Sequence, residues 1–334
     1  MSRLQVGVIG LGVGERHIAG YAAHPDAEVV LVSDTNPDKL AEVLGRHPGL
    51  EGTTDPDEVL DHPGIGAVSI ASYDDFHHAQ IVRALDAGKH VFVEKPVCLY
   101  EAEAVDIRAR LRAHPGLRLS SNLILRLSPR FIAVRDRIRA GRFGDLFYVE
   151  GDYVYGRLTK ITDGWRARRP YYSVVLGGAV HMVDLLLWLT GERVIEVTSY
   201  ANGIGTAGTS FRHPDLVASL LRFESGLVGK VTANFASVHP HFHKVEIYGT
   251  GGTFVNDIGP GRFYEQRDPV REWTPVPEAY PGVDKGDMLH GFVDAIVRGG
   301  DPAVSEDEVF ATMAVCFAIE RSVASGRPEP VRQI

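Results

Sequence analysis

Apolar residues in the first 120 positions fall into short, near-continuous runs set between stretches of helical periodicity. The runs are "LQVGVI" (4–9), "EVVLVSD" (28–34), "GAVSIAS" (66–72), "HVFVE" (90–94) and "RLSSN" (118–122), rich in valine and isoleucine. Runs of that length predict strands buried on both faces of a parallel sheet. Helices are predicted from about Glu15, after Pro37, over "FHHAQIVRALDAG" (76–88) and after Tyr100. In the third, Ile81, Val82 and Leu85 share one face and Gly88 supplies a C-terminal stop. Strands and helices in this alternation make a doubly wound α/β sheet.

After Asn122 the pattern changes. "SPRFIAVRDRIRAG" predicts a helix with Pro129 in its first turn. From Leu146 onward come "LFYVEGDYVYG", "VIEVTSYA", "LVASLLRF", "LVGKVTANF", "KVEIYG" and "GTFVND". Tight turns at Glu224–Gly226 and Gly249–Gly252 join several of them, which predicts hairpins in an antiparallel sheet. Helices are expected over 181–191, 286–300 and 305–326. The expected division is a parallel-sheet domain over 1–121 and an α/β domain with an open, mainly antiparallel sheet over 122–334.

A chain of 334 residues suits two domains that each bury a core, and 44% hydrophobic with 23% charged residues is a globular balance. The net charge of −8, with no block of basic residues interleaved with aromatics, argues against a nucleic-acid partner. Cys98 and Cys316 form neither a disulfide framework nor a metal spacing. "AVHMVDLLLWL" is too short to cross a bilayer, and no basic-then-apolar leader precedes the first strand. A soluble cytoplasmic protein with no membrane partner is expected.

The first chemical signal is "GLGVGERH", Gly10 to His17, directly after the first predicted strand. A strand-to-helix turn of this kind offers backbone N–H groups and a helix dipole to a phosphate, and its glycines allow close approach. The usual spacing is G-x-G-x-x-G. Here Gly14 arrives one residue early and Glu15 stands where the last glycine belongs. Asp34, at the end of the second strand, is placed to accept hydrogen bonds from the adenosine ribose. Loop and aspartate together predict dinucleotide binding through Gly10, Gly12, Val13, Gly14 and Asp34. No arginine follows Asp34 to neutralise a 2′-phosphate, so NAD is favoured over NADP. A carboxylate aimed at the pyrophosphate would repel it, so Glu15 is expected to turn away and cap the helix.

The segment from Ile70 to Pro96, "IASYDDFHHAQIVRALDAGKHVFVEKP", resembles the Gfo/Idh/MocA oxidoreductases (glucose–fructose oxidoreductase, inositol dehydrogenase and relatives). Ala71, His77, "AGKHV" at 87–91 and "EKP" at 94–96 carry the likeness. It continues through Arg126, Pro129, "GWR" at 164–166, "GGAVHMVD" at 177–184 and "YGTGGT" at 248–253. The resemblance implies a Rossmann domain, an α/β domain with an open sheet, and an active site between them. It also implies oxidation or reduction of a secondary alcohol on a sugar or cyclitol, with assembly into homodimers or homotetramers.

Such chemistry needs a base near the hydroxyl and a cation for the developing alkoxide. Lys95 matches the family's catalytic lysine. His181 is the candidate acid/base, with Asp184 one helical turn on to orient it. The cofactor is expected to meet Ala71, Ser72, His77, Glu94, Lys95, Trp165 and Arg166 as well as the loop. The substrate is expected at Lys95, Arg126, Tyr155 and His181. Many family members carry an aspartate four residues before this histidine, where this chain has Gly177. Arginines 166, 168 and 169 would favour a sugar carrying a phosphate, nucleotide diphosphate or carboxylate. His239, His241 and His243 share a strand face but lack a cysteine or acidic partner, and no metal is expected. Two other readings share these residues: an NAD-retaining glycoside hydrolase, and an NAD-binding sensor without turnover.

Overall fold

The structure, a computed structural model, describes residues 3–266 and 272–334. The chain divides into two compact units. One comprises Met1–Ile124, Val283–Met313 and Ile334; the other comprises Leu125–Gly282 and Ala314–Gln333.

In the first unit the predicted runs become β1 (Leu4–Ile9), β2 (Ala27–Ser33), β3 (Glu51–Thr53), β4 (Ala67–Ile70), β5 (His90–Val93) and β6 (Leu119–Ser121). The connecting helices are α1 (Gly14–Ala22), α2 (Pro37–Arg46), α3 (Pro56–Asp61), α4 (His77–Asp86) and α5 (Glu101–Ala113). The sheet is parallel throughout, in the order β3-β2-β1-β4-β5-β6. β1 and β4 are buried along almost their whole length because helices cover both faces. Val8, Leu11, Ile18, Val32, Leu40 and Val43 form one cluster beneath α1 and α2. Each such side chain contributes roughly 1.5–3 kcal/mol on burial. Pro37 pre-sets the first turn of α2, and the Asn36 side chain caps it by accepting from the Asp38 and Lys39 N–H groups. Strand order reverses between β1 and β4, so the loops at their carboxyl ends diverge and open a crevice.

In the second unit α6 (Pro129–Arg139) leads into β7 (Leu146–Val154) and the short α7 (Thr159–Thr162). A π-helical turn over Val175–Ala179 runs into α8 (Val180–Thr190). The remaining strands are β8 (Val194–Asn202), β9 (Leu216–Phe223), β10 (Val228–Asn234), β11 (Phe242–Gly249), β12 (Thr253–Asn256), β13 (Gly261–Tyr264), β14 (Thr274–Val276) and β15 (Glu329–Pro330). Their order is β14-β13-β12-β11-β7-β10-β9-β8-β15, antiparallel except where β7 pairs with β10. One face of this sheet packs on α8, where Gly151 of β7 lies against Met182.

Two helices follow: α9 (Met288–Val297), which belongs to the first unit, and α10 (Glu306–Ser325), which begins there and ends in the second. The sequence pattern assigns 122–334 to the second domain, whereas 122–124 and 283–313 belong to the first unit. α9 packs on α1, and a Cβ at Gly20 would lie 2.6 Å from the Gly286 carbonyl. Among the described residues no helix is long and apolar enough to cross a membrane.

Candidate functional site

A cavity of about 320 Å³ opens in the first unit at the carboxyl ends of β1, β2 and β4. Gly10, Gly12, Asp34, Ala71 and Ser72, five of the residues expected at the dinucleotide, line it. The turn is tight: Gly10 has φ +84°, and a Cβ there would fall 2.5 Å from the Ala71 carbonyl. Gly12 has nothing within 4 Å of where a Cβ would stand, so its backbone faces open space as a pyrophosphate requires. Val13 precedes α1 and Gly14 is its buried first residue, packed near Val8 and Ala71. Asp34 is held by two backbone donors, Leu11 N–H to Oδ2 at 2.8 Å and Asn36 N–H to Oδ1 at 2.9 Å. A carboxylate accepts about four hydrogen bonds, so lone pairs remain for ribose hydroxyls. The residues present fit a dinucleotide.

Glu15 turns away from the loop, but not to cap α1, which has no side-chain cap. Its oxygens accept from Arg46 of α2, at 2.6 Å from Nε and 2.9 Å from Nη2, with Lys39 Nζ 3.5 Å away. A two-toothed guanidinium bond is stronger than the single N–H bond a cap would supply.

Lys95 follows β5 on the same sheet edge and is half-buried. Its neighbour Glu94 is buried, with Oε1 accepting from Asn122 Nδ2 at 2.7 Å and lying 3.3 Å from His17 Nε2. Burial alone would raise the Glu94 pKa. The hydrogen bond from His17 and the charges of Lys285, His17 and Lys95 outweigh it and hold the carboxyl well below its usual range. His17 in turn meets Ser69 Oγ at 2.8 Å through Nδ1. His77 is fully buried, its ring set between the Pro96 carbonyl (2.6 Å) and the Ser72 carbonyl (3.2 Å). Glu94 and His77 do not line the cavity; they tie the loop after β4 and the segment after β5 into the core. Sequence reasoning missed His17 and Asn122, since the groups they serve are distant in sequence, Ser69 lying 52 residues from His17 and Glu94 28 residues from Asn122.

In the second unit His181 lies near the start of α8, its ring stacked on Tyr153 with centroids 6.0 Å apart. Tyr155, also expected at the substrate, stacks on Tyr153 at 5.9 Å, and Arg157 lies over its ring. His241 and His243 approach Tyr153 edge-on, and His243 is 6.2 Å from the His181 ring. Burial first, then the charges of His241 and Arg157, push His243 down to about 3, so it is neutral at any working pH. Its Nδ1 is 2.8 Å from the Tyr280 hydroxyl. His239 is half-buried with Nδ1 on Pro240 O at 2.7 Å, while His243 Nδ1 meets Tyr280, so the "HPHFH" run does not converge on one point. A separate group, His24, His290 and Asp294, lies in the first unit. There His24 Nδ1 accepts the Asp26 N–H, which puts the ring proton on Nε2, donated to Asp294. That arrangement is a hydrogen-bond chain.

Arg126 and Asp184 are brought together, with Nε 3.1 and 3.0 Å from Oδ1 and Oδ2 and Nη2 2.6 Å from Oδ1. Their side chains are only 2% and 1% exposed. Arg126, expected at the substrate, is thus a buried partner of Asp184. Trp165 and Arg166 stack on each other, and Arg166 Nε donates to the Tyr172 hydroxyl at 2.9 Å.

Tyr172 also explains Gly177. A Cβ at Gly177 would stand 2.1 Å from the Tyr172 hydroxyl oxygen. The phenol fills the space where another side chain would begin, and the π turn carries that close approach. Tyr172 itself is buried, against Trp165 and Phe211. Gly177→Ala is therefore expected to destabilise by about 1–3 kcal/mol through overpacking, read as a lower denaturant midpoint at unchanged slope. In a Tyr172→Phe background, which removes the nearest atom, part of that loss should return. An unshifted midpoint for Gly177→Ala would show that the ring yields freely.

Two units, one carrying a glycine-rich βα turn with an acceptor at the end of β2 and a lysine beyond β5, define a dinucleotide-binding oxidoreductase architecture. Residues 4–122 match the oxidoreductase family with an NAD-binding Rossmann fold, and residues 131–255 match the GFO/IDH/MocA C-terminal domain. The chain belongs to the GFO/IDH/MocA oxidoreductase family, and residues 4–122 of its first unit are that family's NAD-binding domain. It is 26% identical to myo-inositol 2-dehydrogenase of Thermotoga maritima, across 99% of each chain. It is 27% identical to inositol 2-dehydrogenase of Rhizobium meliloti, across 97% of this chain and 98% of the other. The fold is that of a levoglucosan dehydrogenase solved with NADH, at a TM-score of 0.88, 23% identity and full coverage of both chains.

Proposed function

We propose that the protein is an NAD(H)-dependent dehydrogenase or reductase acting on a secondary alcohol or ketone of a sugar or cyclitol. The observation that carries this reading is one sheet edge. It bears a loop open at Gly12, an acceptor fixed at Asp34 and a half-buried lysine after β5. NAD, when bound, supplies the hydride acceptor. Lys95 holds the reacting oxygen and stabilises its developing negative charge. His181 takes the hydroxyl proton in the oxidation and returns it in the reduction. A dinucleotide held by the Gly12 loop and Asp34 would accept the hydride of the C–H bond, and the O–H proton would go to the His181 imidazole. Tyr153, Tyr155 and neutral His243 make a wall of aromatic faces and donors suited to a polyol ring. Arg157 and Arg166 beside that wall support a sugar bearing an anionic group. The sheet face opposite α8 exposes Tyr200 and Leu220, diagonal neighbours on β8 and β9, which supports assembly with further copies of the chain.

The test is absorbance at the reduced-nicotinamide band with NAD⁺ and a panel of myo-inositol, levoglucosan, sugar acids, sugar phosphates and nucleotide sugars. Turnover of at least one member is expected. NAD⁺ binding by calorimetry with no turnover across the panel would replace this reading with a sensor. Glycoside cleavage without net change in nicotinamide would replace it with a hydrolase.

A further inference from the structure

Glu15 occupies a loop position that is usually glycine, and its contacts say what it does there. The cavity end beyond Asp34 is lined by Thr35, Asn36 and Lys39, so it runs along the first turn of α2. A helix N-terminus with a lysine in its first turn favours an anion. Arg46, two turns further on, adds a second cation. Both are engaged by the Glu15 carboxylate, Arg46 through two short bonds and Lys39 at 3.5 Å. Glu42 shares them, 2.7 Å from Arg46 Nη1 and 3.4 Å from Lys39 Nζ, but it is more exposed than Glu15. His47 Nε2 stands 3.7 Å from Glu15 Oε1, and Asp38 lies in the same first turn of α2. The hydrogen bond from Arg46, with the charges of Arg46 and Lys39, outweighs partial burial and keeps Glu15 ionised.

We propose that Glu15 is a cofactor-selecting residue. By holding Lys39 and Arg46 it withholds from an adenosine 2′-phosphate the cations that would neutralise it, and so it discriminates against NADP together with Asp34. Asp34 lines the cavity itself, while Glu15 acts from outside it through Lys39, which lines the same end. Asp34 accepts from a ribose hydroxyl but repels a phosphate, and Glu15 satisfies the cations that would offset that repulsion. The same arrangement lets an acidic residue sit beside a pyrophosphate loop, because its charge is balanced from α2.

The inference rests on the dinucleotide reading of the cavity, and direct binding separates the two. Calorimetric titration of the parent with NAD⁺ and NADP⁺ is expected to give tighter binding of NAD⁺. Glu15→Gln, nearly isosteric and uncharged, is expected to tighten NADP⁺ by about five- to tenfold, the size of one charge removed at partly solvated range. NAD⁺ should change by less than about twofold. Adding Lys39→Met to Glu15→Gln should abolish the gain. An unchanged ratio of the two dissociation constants in Glu15→Gln would overturn the proposal, as would parallel weakening of both dinucleotides. A parent that binds neither dinucleotide would overturn the underlying reading as well.

Discussion

Lys95→Ala is expected to lower kcat by about 10²- to 10³-fold, the usual loss when one donor to a developing oxyanion is removed. KM for NAD⁺ should change little, because the cavity is lined by Gly12, Asp34 and Ala71 rather than by Lys95. The fold should survive. Lys95 is half-buried beyond the end of β5, and the charge it lends to Glu94 is backed by His17 and Lys285. Lys95→Arg keeps the charge on a longer, planar head and should retain more turnover than alanine. Steady-state rates with the best sugar from the panel, beside NAD⁺ titrations of the same variants, separate binding from chemistry. An alanine variant with parental kcat would remove Lys95 from the reaction.

How legible this was in the sequence depended on whether the partner of each residue lay nearby. β1, β4 and β5 were legible because strands covered on both faces must be apolar throughout. β3 and α3 are short, half-exposed and polar, so no period marked them. The parallel pairing of β7 with β10 and the return of α9 to the first unit are topological facts that local pattern does not encode. The loop and Asp34 were readable because their spacing is set by one βαβ unit. The partners of Glu15 lie 24 and 31 residues on, on a different helix, so its turn away was foreseeable while its grip on Arg46 was not. Gly177 was recognised as a departure, yet the Tyr172 ring that occupies its space comes from "PYYS", a stretch without any motif. Arg126 and Asp184 were each read as site residues from matched positions. Their mutual bond spans 58 residues and only packing reveals it.

That bond sets the second large expectation. Asp184→Ala leaves a guanidinium that is 2% exposed without the carboxylate that accepts from both its Nε and Nη2. Removing one partner of a buried pair typically costs about 3–5 kcal/mol, because the remaining charge stays buried and loses a counter-charge. Chemical denaturation should show that loss as a lower midpoint. Replacing both residues, Arg126→Met with Asp184→Leu, takes away the buried charge as well and should recover most of it, since apolar pairs of similar volume often match a buried ion pair. A double variant as unstable as the single one would mean that the polar pair itself, rather than the leftover charge, dominates. The same pair of variants also separates stability from chemistry. Asp184 lies one turn after His181 on α8, where i and i+3 side chains are neighbours. If Asp184 orients His181, the double variant regains its fold and still turns over slowly. If the carboxylate serves only Arg126, turnover returns together with stability.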